Sequence, residues 1–217
     1  MNTTRRTLVG ALAASGLALT FDAVRAQGKA PDAGIEYREV TPPQATESGS
    51  KIEVLEFFWY GCPHCYAFEP QLNAWTKKLP ADVSFRRVHA QFAPAWVQHA
   101  KLFYALDALS EVERLHRKCF DTIHGERRDL LKEADMIEWA GQNGIDKAKF
   151  SDALKSFGVA GKLQRARQIV LNYKIDGVPV LAVNGKFITS PSIANGQDKC
   201  LAVADFLIEQ ERRAKKA

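Results

Sequence analysis

Cysteine is scarce in this chain, with four residues in 217. That excludes a small disulfide-framework protein, so stability must come from an apolar core, although an even number suits an oxidising compartment. No second CxxC and no spaced histidine pair accompany Cys62 and Cys65. A four-ligand zinc site is therefore incomplete. Long apolar runs are missing after the first 26 residues, which excludes a membrane-spanning helix there. Charge of one sign is not dominant either: 30 Lys and Arg stand against 25 Asp and Glu, a net of +5. Residues 1–26 hold Arg5, Arg6, Arg25 and Asp22, a net of +2 that leaves +3 for the rest. That is too mild for a nucleic-acid protein, and no basic stripe interleaved with aromatics exists. Internal repeats and low-complexity segments are absent. What remains is ordinary globular material, 46% hydrophobic and 25% charged, enough for one domain with a sizeable core.

Residues 1–26 read as a cleaved signal peptide. Arg5-Arg6 precede small and apolar residues from Leu8 to Phe21, and Val24-Arg25-Ala26 suits cleavage after Ala26. Thr4-Arg5-Arg6-Thr7-Leu8-Val9 also resembles a twin-arginine export motif, with the general secretory route as the alternative. Both routes end in the periplasm. Residues 27–34 then form a linker, and 35–214 a folded domain. The domain begins with an expected edge strand at Glu36–Val40 and a turn-rich loop through Pro42-Pro43. The central strand Ile52–Trp59, a helix from Cys62 to Lys78 kinked at Pro70, and a strand Val83–Gln91 follow. From about 94 to 173 the apolar spacing becomes helical. One stripe is Leu102, Phe103, Leu106 and Leu109. A second is Phe150, Ala153, Leu154 and Phe157 behind an Asp146 N-cap, and a third is Leu163, Ala166, Val170 and Tyr173. Asn143-Gly144 and Gly158 punctuate this helical insert. Asn184-Gly185 between Val178–Val183 and Lys186–Thr189 predicts a hairpin, and a last helix starts at Asn195. The fold class is α/β: a thioredoxin order of strand, helix, strand, hairpin and helix, with an inserted helical subdomain.

The chemistry concentrates between Ile52 and Pro70. An apolar strand is broken by Gly61, and Cys62-Pro63-His64-Cys65 opens a helix. Pro63 suits the first helical position, where a missing N–H costs no hydrogen bond. Cys62 then falls at the N-cap, where unpaired backbone N–H groups and the helix dipole favour a thiolate. A strand ending in CxxC at a helix start reads as a thiol–disulfide redox site, with Cys62 the more exposed nucleophile and Cys65 its disulfide partner. His64 favours the neighbouring thiolate electrostatically.

Strand, Cys-Pro-His-Cys and the downstream Gly177-Val178-Pro179 together resemble the DsbA family of periplasmic thiol:disulfide oxidoreductases. The Pro-His pair is the specific part, since thioredoxins carry Gly-Pro there. The likeness runs from about Ile35 to Leu207. It implies an oxidising CxxC of low pKa and a cis Val178-Pro179 bond facing it. It also implies substrate contacts through Val178, Pro179 and Pro63. Its expected substrates are unfolded exported proteins with free cysteines. Its expected partner is a DsbB-type, quinone-linked membrane oxidase. No dissociable cofactor or metal, no nucleic acid and no membrane insertion of the chain itself are implied.

Glu56 is the anomaly of the central strand, because a buried carboxylate is expensive unless neutral or paired. An edge-facing surface position is the alternative. The family resemblance implies an acid beneath the second cysteine that relays its proton, usually beside a lysine; Arg87 matches that position here and holds its proton more firmly. Cys119 and Cys200 lie on apolar helical faces and read as two separate buried thiols, with a second disulfide as the alternative. His89, His99, His116 and His124 fall in no motif and receive no role. The rivals to a dithiol oxidase are a disulfide reductase or isomerase, a non-redox peptide-binding chaperone and a metal-binding protein.

Overall fold

The computed structural model describes residues 30–215. The expected signal peptide and the first linker residues, 27–29, lie outside the described residues. A short edge strand β1 (Arg38–Glu39) comes first. It is shorter than the expected Glu36–Val40 because Ile35 and Glu36 donate their N–H groups to the Asp32 carbonyl and close a turn. The central strand β2 (Ile52–Phe58) is buried at all seven positions. It is followed by α1 (Pro63–Thr76), which runs on through Pro70, and by β3 (Val83–His89). Five helices come next: α2 (Pro94–Ala108), α3 (Val112–His124), α4 (Glu133–Gln142), α5 (Lys147–Lys155) and α6 (Phe157–Asn172). Strands β4 (Val180–Val183) and β5 (Phe187–Thr189) and helix α7 (Gln197–Ala214) complete the chain.

The sheet order is β1-β5-β4-β2-β3, with β2 and β3 parallel and the other pairs antiparallel. The tight hairpin follows from Asn184 and Gly185, which adopt φ of 50° and 72°. Two consecutive positive φ angles are what such a turn requires, and Asn-Gly supplies them at least cost. Alternation along β2 sorts its side chains onto two faces. Ile52 and Val54 pack with Phe68 and Leu72 of α1 and with Val203, Ala204 and Leu207 of α7. Leu55 and Phe57 face the helical insert, where Leu102, Leu106, Phe120 and Trp139 form a second core.

One expected stripe is broken. Ser156 ends α5 and caps α6, its hydroxyl accepting from the Val159 N–H at 3.2 Å. Phe157 thereby leaves the face of Phe150 and Leu154 and is 97% exposed. The chain break falls at Ser156, not at Gly158, which lies inside α6. Asp146 does cap α5, accepting from the Lys149 N–H at 2.8 Å. Cys119 and Cys200 are free and buried in different cores, one under the helical insert and one under α7. Among the described residues no helix is long and apolar enough to cross a membrane.

Candidate active site

Strand β2 delivers the chain to the start of α1 through Trp59, Tyr60 and Gly61. The indole of Trp59 occupies the space that a Cβ on residue 61 would need, so only glycine fits that position. Trp59 stacks on Trp96 of α2 at 4.1 Å, and its carbonyl accepts the Cys62 N–H at 3.0 Å. Cys62 is the N-cap, with extended backbone, and Pro63 occupies the first helical turn. The Cys65 N–H donates to Cys62 Sγ at 3.3 Å, as a cap should. Both cysteines are free thiols, Cys62 6% and Cys65 1% exposed. The expected order of exposure holds, but Cys62 is more sheltered than an N-cap position implies. The loop before β4 covers it: Cys62 Sγ lies 3.6 Å from the Val178 carbonyl, and Val178-Pro179 is a cis peptide. Pro63 and His64 are exposed, Val178 half-buried and Pro179 buried. Beside them a cavity of about 470 Å³ is lined by His64, Ile175, Val178, Pro179, Ile188 and Ile193.

The two sulfurs are driven apart electrically. Cys62 is lowered to about 6, first by the Cys65 thiol directed at it, then by the backbone N–H groups of Cys65 and His64, and last by the charge on His64; burial opposes the shift. Cys65 is pushed well up, first by burial and then by Cys62 and Glu56. At neutral pH the pair holds one thiolate and one thiol. The imidazole charge of His64, the motif's most conspicuous residue, thus comes last among the influences that stabilise the thiolate. Cys65→Ala should therefore raise the Cys62 pKa more than His64→Ala does, by about one unit or more. Thiolate absorbance titrations of the two variants measure the order directly.

Beneath Cys65, Glu56 is 1% exposed and receives the Arg87 Nε–H at 2.8 Å, matching their pairing across β2 and β3. The surface alternative for Glu56 does not hold. Burial outweighs Arg87 and lifts this carboxyl to about 8. A second buried acid shares the arginine: Glu69 of α1 accepts from Arg87 Nη2 at 3.1 Å, and burial raises it also. His116 of α3 follows, its Nε2 3.4 Å from Glu69 Oε2 and its Nδ1 3.0 Å from the Tyr60 hydroxyl. Burial and Arg87 push His116 well down, so it is neutral. Sequence reasoning misses Glu69, although its place four residues after Cys65, on the same helical face, is a usable signal. It also misses Tyr60 and His116, for which no local signal exists. His89, His99 and His116, given no role by the sequence, are buried, and His124 stacks on Tyr66 at 4.8 Å.

Glu56, Glu69 and His116 are close enough to ligate a metal ion. The Arg87 guanidinium already brings a positive charge to both carboxylates, and neither Cys62 nor Cys65 joins the group.

A thiolate–thiol pair at a helix start, capped by a cis-proline loop on a sheet of this order, defines an enzyme of thiol–disulfide exchange on a thioredoxin fold. The model of the DSBA-like thioredoxin domain matches residues 53–207. The chain is 42% identical over 213 residues to the thiol:disulfide interchange protein DsbA of Azotobacter vinelandii, covering 97% of this chain and 99% of that protein. The Pseudomonas aeruginosa DsbA crystal structure superposes with a TM-score of 0.84 at 40% identity, covering 86% of this chain and 97% of that one. DsbA from Xylella fastidiosa follows at a TM-score of 0.79 and 28% identity, over 84% and 98%. The chain belongs to the DsbA family and is a thiol:disulfide oxidoreductase.

Proposed function

We propose that this protein is exported to the periplasm by residues 1–26 and there introduces disulfide bonds into newly arrived, unfolded proteins. The observation that carries this direction of reaction is the depressed Cys62 beside a protonated, buried Cys65. A stabilised thiolate lowers the free energy of the reduced enzyme, which makes its disulfide a good oxidant.

In the reaction, a substrate thiolate attacks Cys62 Sγ of the Cys62–Cys65 disulfide. The S–S electron pair passes to Cys65 Sγ, which leaves and takes up a proton. Glu56, protonated below about 8, is the buried acid beneath it that can supply one. The substrate is then held through Cys62, with its backbone against Val178 and Pro179 and its apolar side chains in the adjoining cavity. A second substrate thiolate attacks the substrate sulfur of this mixed disulfide and expels the Cys62 thiolate, a good leaving group at its low pKa. Two electrons have moved from the substrate dithiol to the enzyme. A DsbB-type membrane oxidase linked to quinone would remove them.

Two experiments test this reading. The oxidised full chain mixed with a reduced, unfolded protein dithiol should transfer one disulfide per enzyme; net reduction of insulin instead would place the chain among the reductases. Glu56→Gln keeps the shape and the Arg87 contact but has no proton to give. It should slow the first exchange step at pH 7 by about tenfold, within the usual range for a positioned acid. Corrected for the substrate's thiolate fraction, that step should slow in the native protein as pH rises through about 8, and in the variant this dependence should vanish. Stopped-flow fluorescence of the Trp59–Trp96 pair gives the rates.

A further inference from the structure

Two carboxylates, one guanidinium and one neutral imidazole are buried together under Cys65, and their partners are unevenly distributed. Arg87 bonds one oxygen of each carboxylate. The other oxygen of Glu69 has no hydrogen-bond partner of good geometry, and neither has His116 Nε2; these two orphan atoms face each other at 3.4 Å. On the far side of the ring, Nδ1 meets the Tyr60 hydroxyl at 3.0 Å. Arg87 alone bonds both acids, and Arg117 acts on Glu69 only from a half-exposed position, so full ionisation would leave a net negative charge away from water and the cluster keeps one proton. Which acid holds it matters, because Glu56 is the one of the two among the influences on Cys65.

We propose that His116, oriented by Tyr60, is a positioning residue that keeps Glu69 ionised and so places the cluster's single proton on Glu56, beside Cys65. The Tyr60 hydroxyl lies between His116 Nδ1, at 3.0 Å, and the Cys119 thiol; when it donates to Nδ1, the hydrogen of the neutral imidazole sits on Nε2, 3.4 Å from Glu69 Oε2. The opposite tautomer turns a lone pair toward Glu69 and is tolerated only when Glu69 itself carries the proton and donates it to Nε2. Ring tautomer and proton position are therefore one choice. The groups around His116 agree with this bias. Glu69 faces it from α1, Arg87 and His89 from β3, Tyr60 from the turn after β2, and Cys119, Glu113 and Arg117, the last two acting on Glu69, belong to its own helix. Arg87 opposes a charged imidazole, and burial keeps it neutral. The ring packs edge-on against Phe58, Phe103 and Phe120, so it cannot rotate away.

The inference rests on the relay reading of Glu56, and the test separates the two. Carboxyl carbon NMR of the full reduced chain, labelled at glutamate, gives the titration midpoints of Glu56 and Glu69. His116→Phe fills the aromatic cage but removes both ring nitrogens; the Glu56 midpoint should fall by about one pH unit, a tenfold change, and the Glu69 midpoint should rise. His116→Gln restores an N–H donor and should return both toward the native values, which a packing defect would not do. Tyr60→Phe removes only the hydroxyl and should shift Glu56 in the same direction by less; it carries the test alone if His116→Phe does not fold. An unchanged Glu56 midpoint in the folded variants overturns the proposal. A shifted midpoint with Glu56→Gln leaving exchange rates untouched would overturn the relay and leave the placement of the proton standing.

Discussion

Cys62→Ser is expected to reduce disulfide transfer by about three orders of magnitude or more, to the uncatalysed background, whereas Cys65→Ser should accumulate mixed disulfides. The asymmetry follows from the two environments. Cys62 is the sulfur at the N-cap beneath Val178, the more exposed of the pair, and it is the one held as a thiolate. Cys65 is enclosed at 1% exposure and stays a thiol. Removing Cys62 leaves no sulfur that a substrate can reach. Removing Cys65 leaves the reactive sulfur in place, still served by the residue 65 N–H, but without an internal thiol to resolve what it captures. Serine at 65 also keeps a hydroxyl donor toward Cys62, so the sulfur stays a thiolate and still captures substrate. Non-reducing gels and mass spectrometry of the two variants from an exported source read the outcome. Trapping by Cys62→Ser, with none by Cys65→Ser, would reverse the roles.

The second large effect is on stability. Reduced Cys62 ionises near 6 in the folded chain and near about 8.5 when unfolded. A depressed acid pKa stabilises the fold fully above the unfolded value, less as pH falls between the two, and not at all below the folded value. The reduced protein should therefore gain on the oxidised one between about pH 6 and 8.5. The full shift corresponds to about 3 kcal/mol, and solvent screening at a sulfur that is not fully buried trims this to about 2 kcal/mol. The disulfide answers with loop closure of the unfolded chain, about 2 kcal/mol for so short a loop. The two forms should be close in stability near neutral pH, with the reduced form ahead on the alkaline side and the oxidised form ahead below about pH 6. Cys65 sets an upper limit. Its thiol is held well above the unfolded value, so above about 8.5 the unfolded chain ionises there while the folded one does not, and the advantage declines again. Denaturant melts of both redox forms across mildly acid to alkaline pH should show this peaked difference. A difference flat with pH would mean that Cys62 is an ordinary thiol.

Much of the site is legible in the amino-acid sequence. Cys62 at a helix start followed by Pro63, the strand ahead of it, and Glu56 as an acid in that strand are local facts, and each fixes a position in three dimensions. Asn184-Gly185 specifies the hairpin, and Asp146 the start of α5. Arg87 is legible only through the family resemblance, yet its pairing with Glu56 follows from simple strand register. What escapes a reading of the chain is of two kinds. A 3.6-residue period continues through Phe157 and assigns it to the core, while a single serine cap restarts the helix at Ser156 and turns it outward. His116 and Tyr60 take their meaning from a contact spanning 56 residues, and no local pattern encodes it. The ranking of influences on Cys62 is likewise invisible in the motif, which draws attention to His64, whereas the thiol of Cys65 contributes most.

The claim on which the rest depends is that this dithiol pair is poised to oxidise others. Equilibrating the purified protein with a graded series of glutathione buffers at neutral pH, and measuring the fraction reduced, tests it most directly. The predicted result is a protein almost wholly reduced by glutathione mixtures that leave ordinary structural disulfides intact, with a potential above the roughly −200 mV of glutaredoxins. A pair that stays oxidised in those buffers, at a potential near the about −270 mV of thioredoxin, would contradict it.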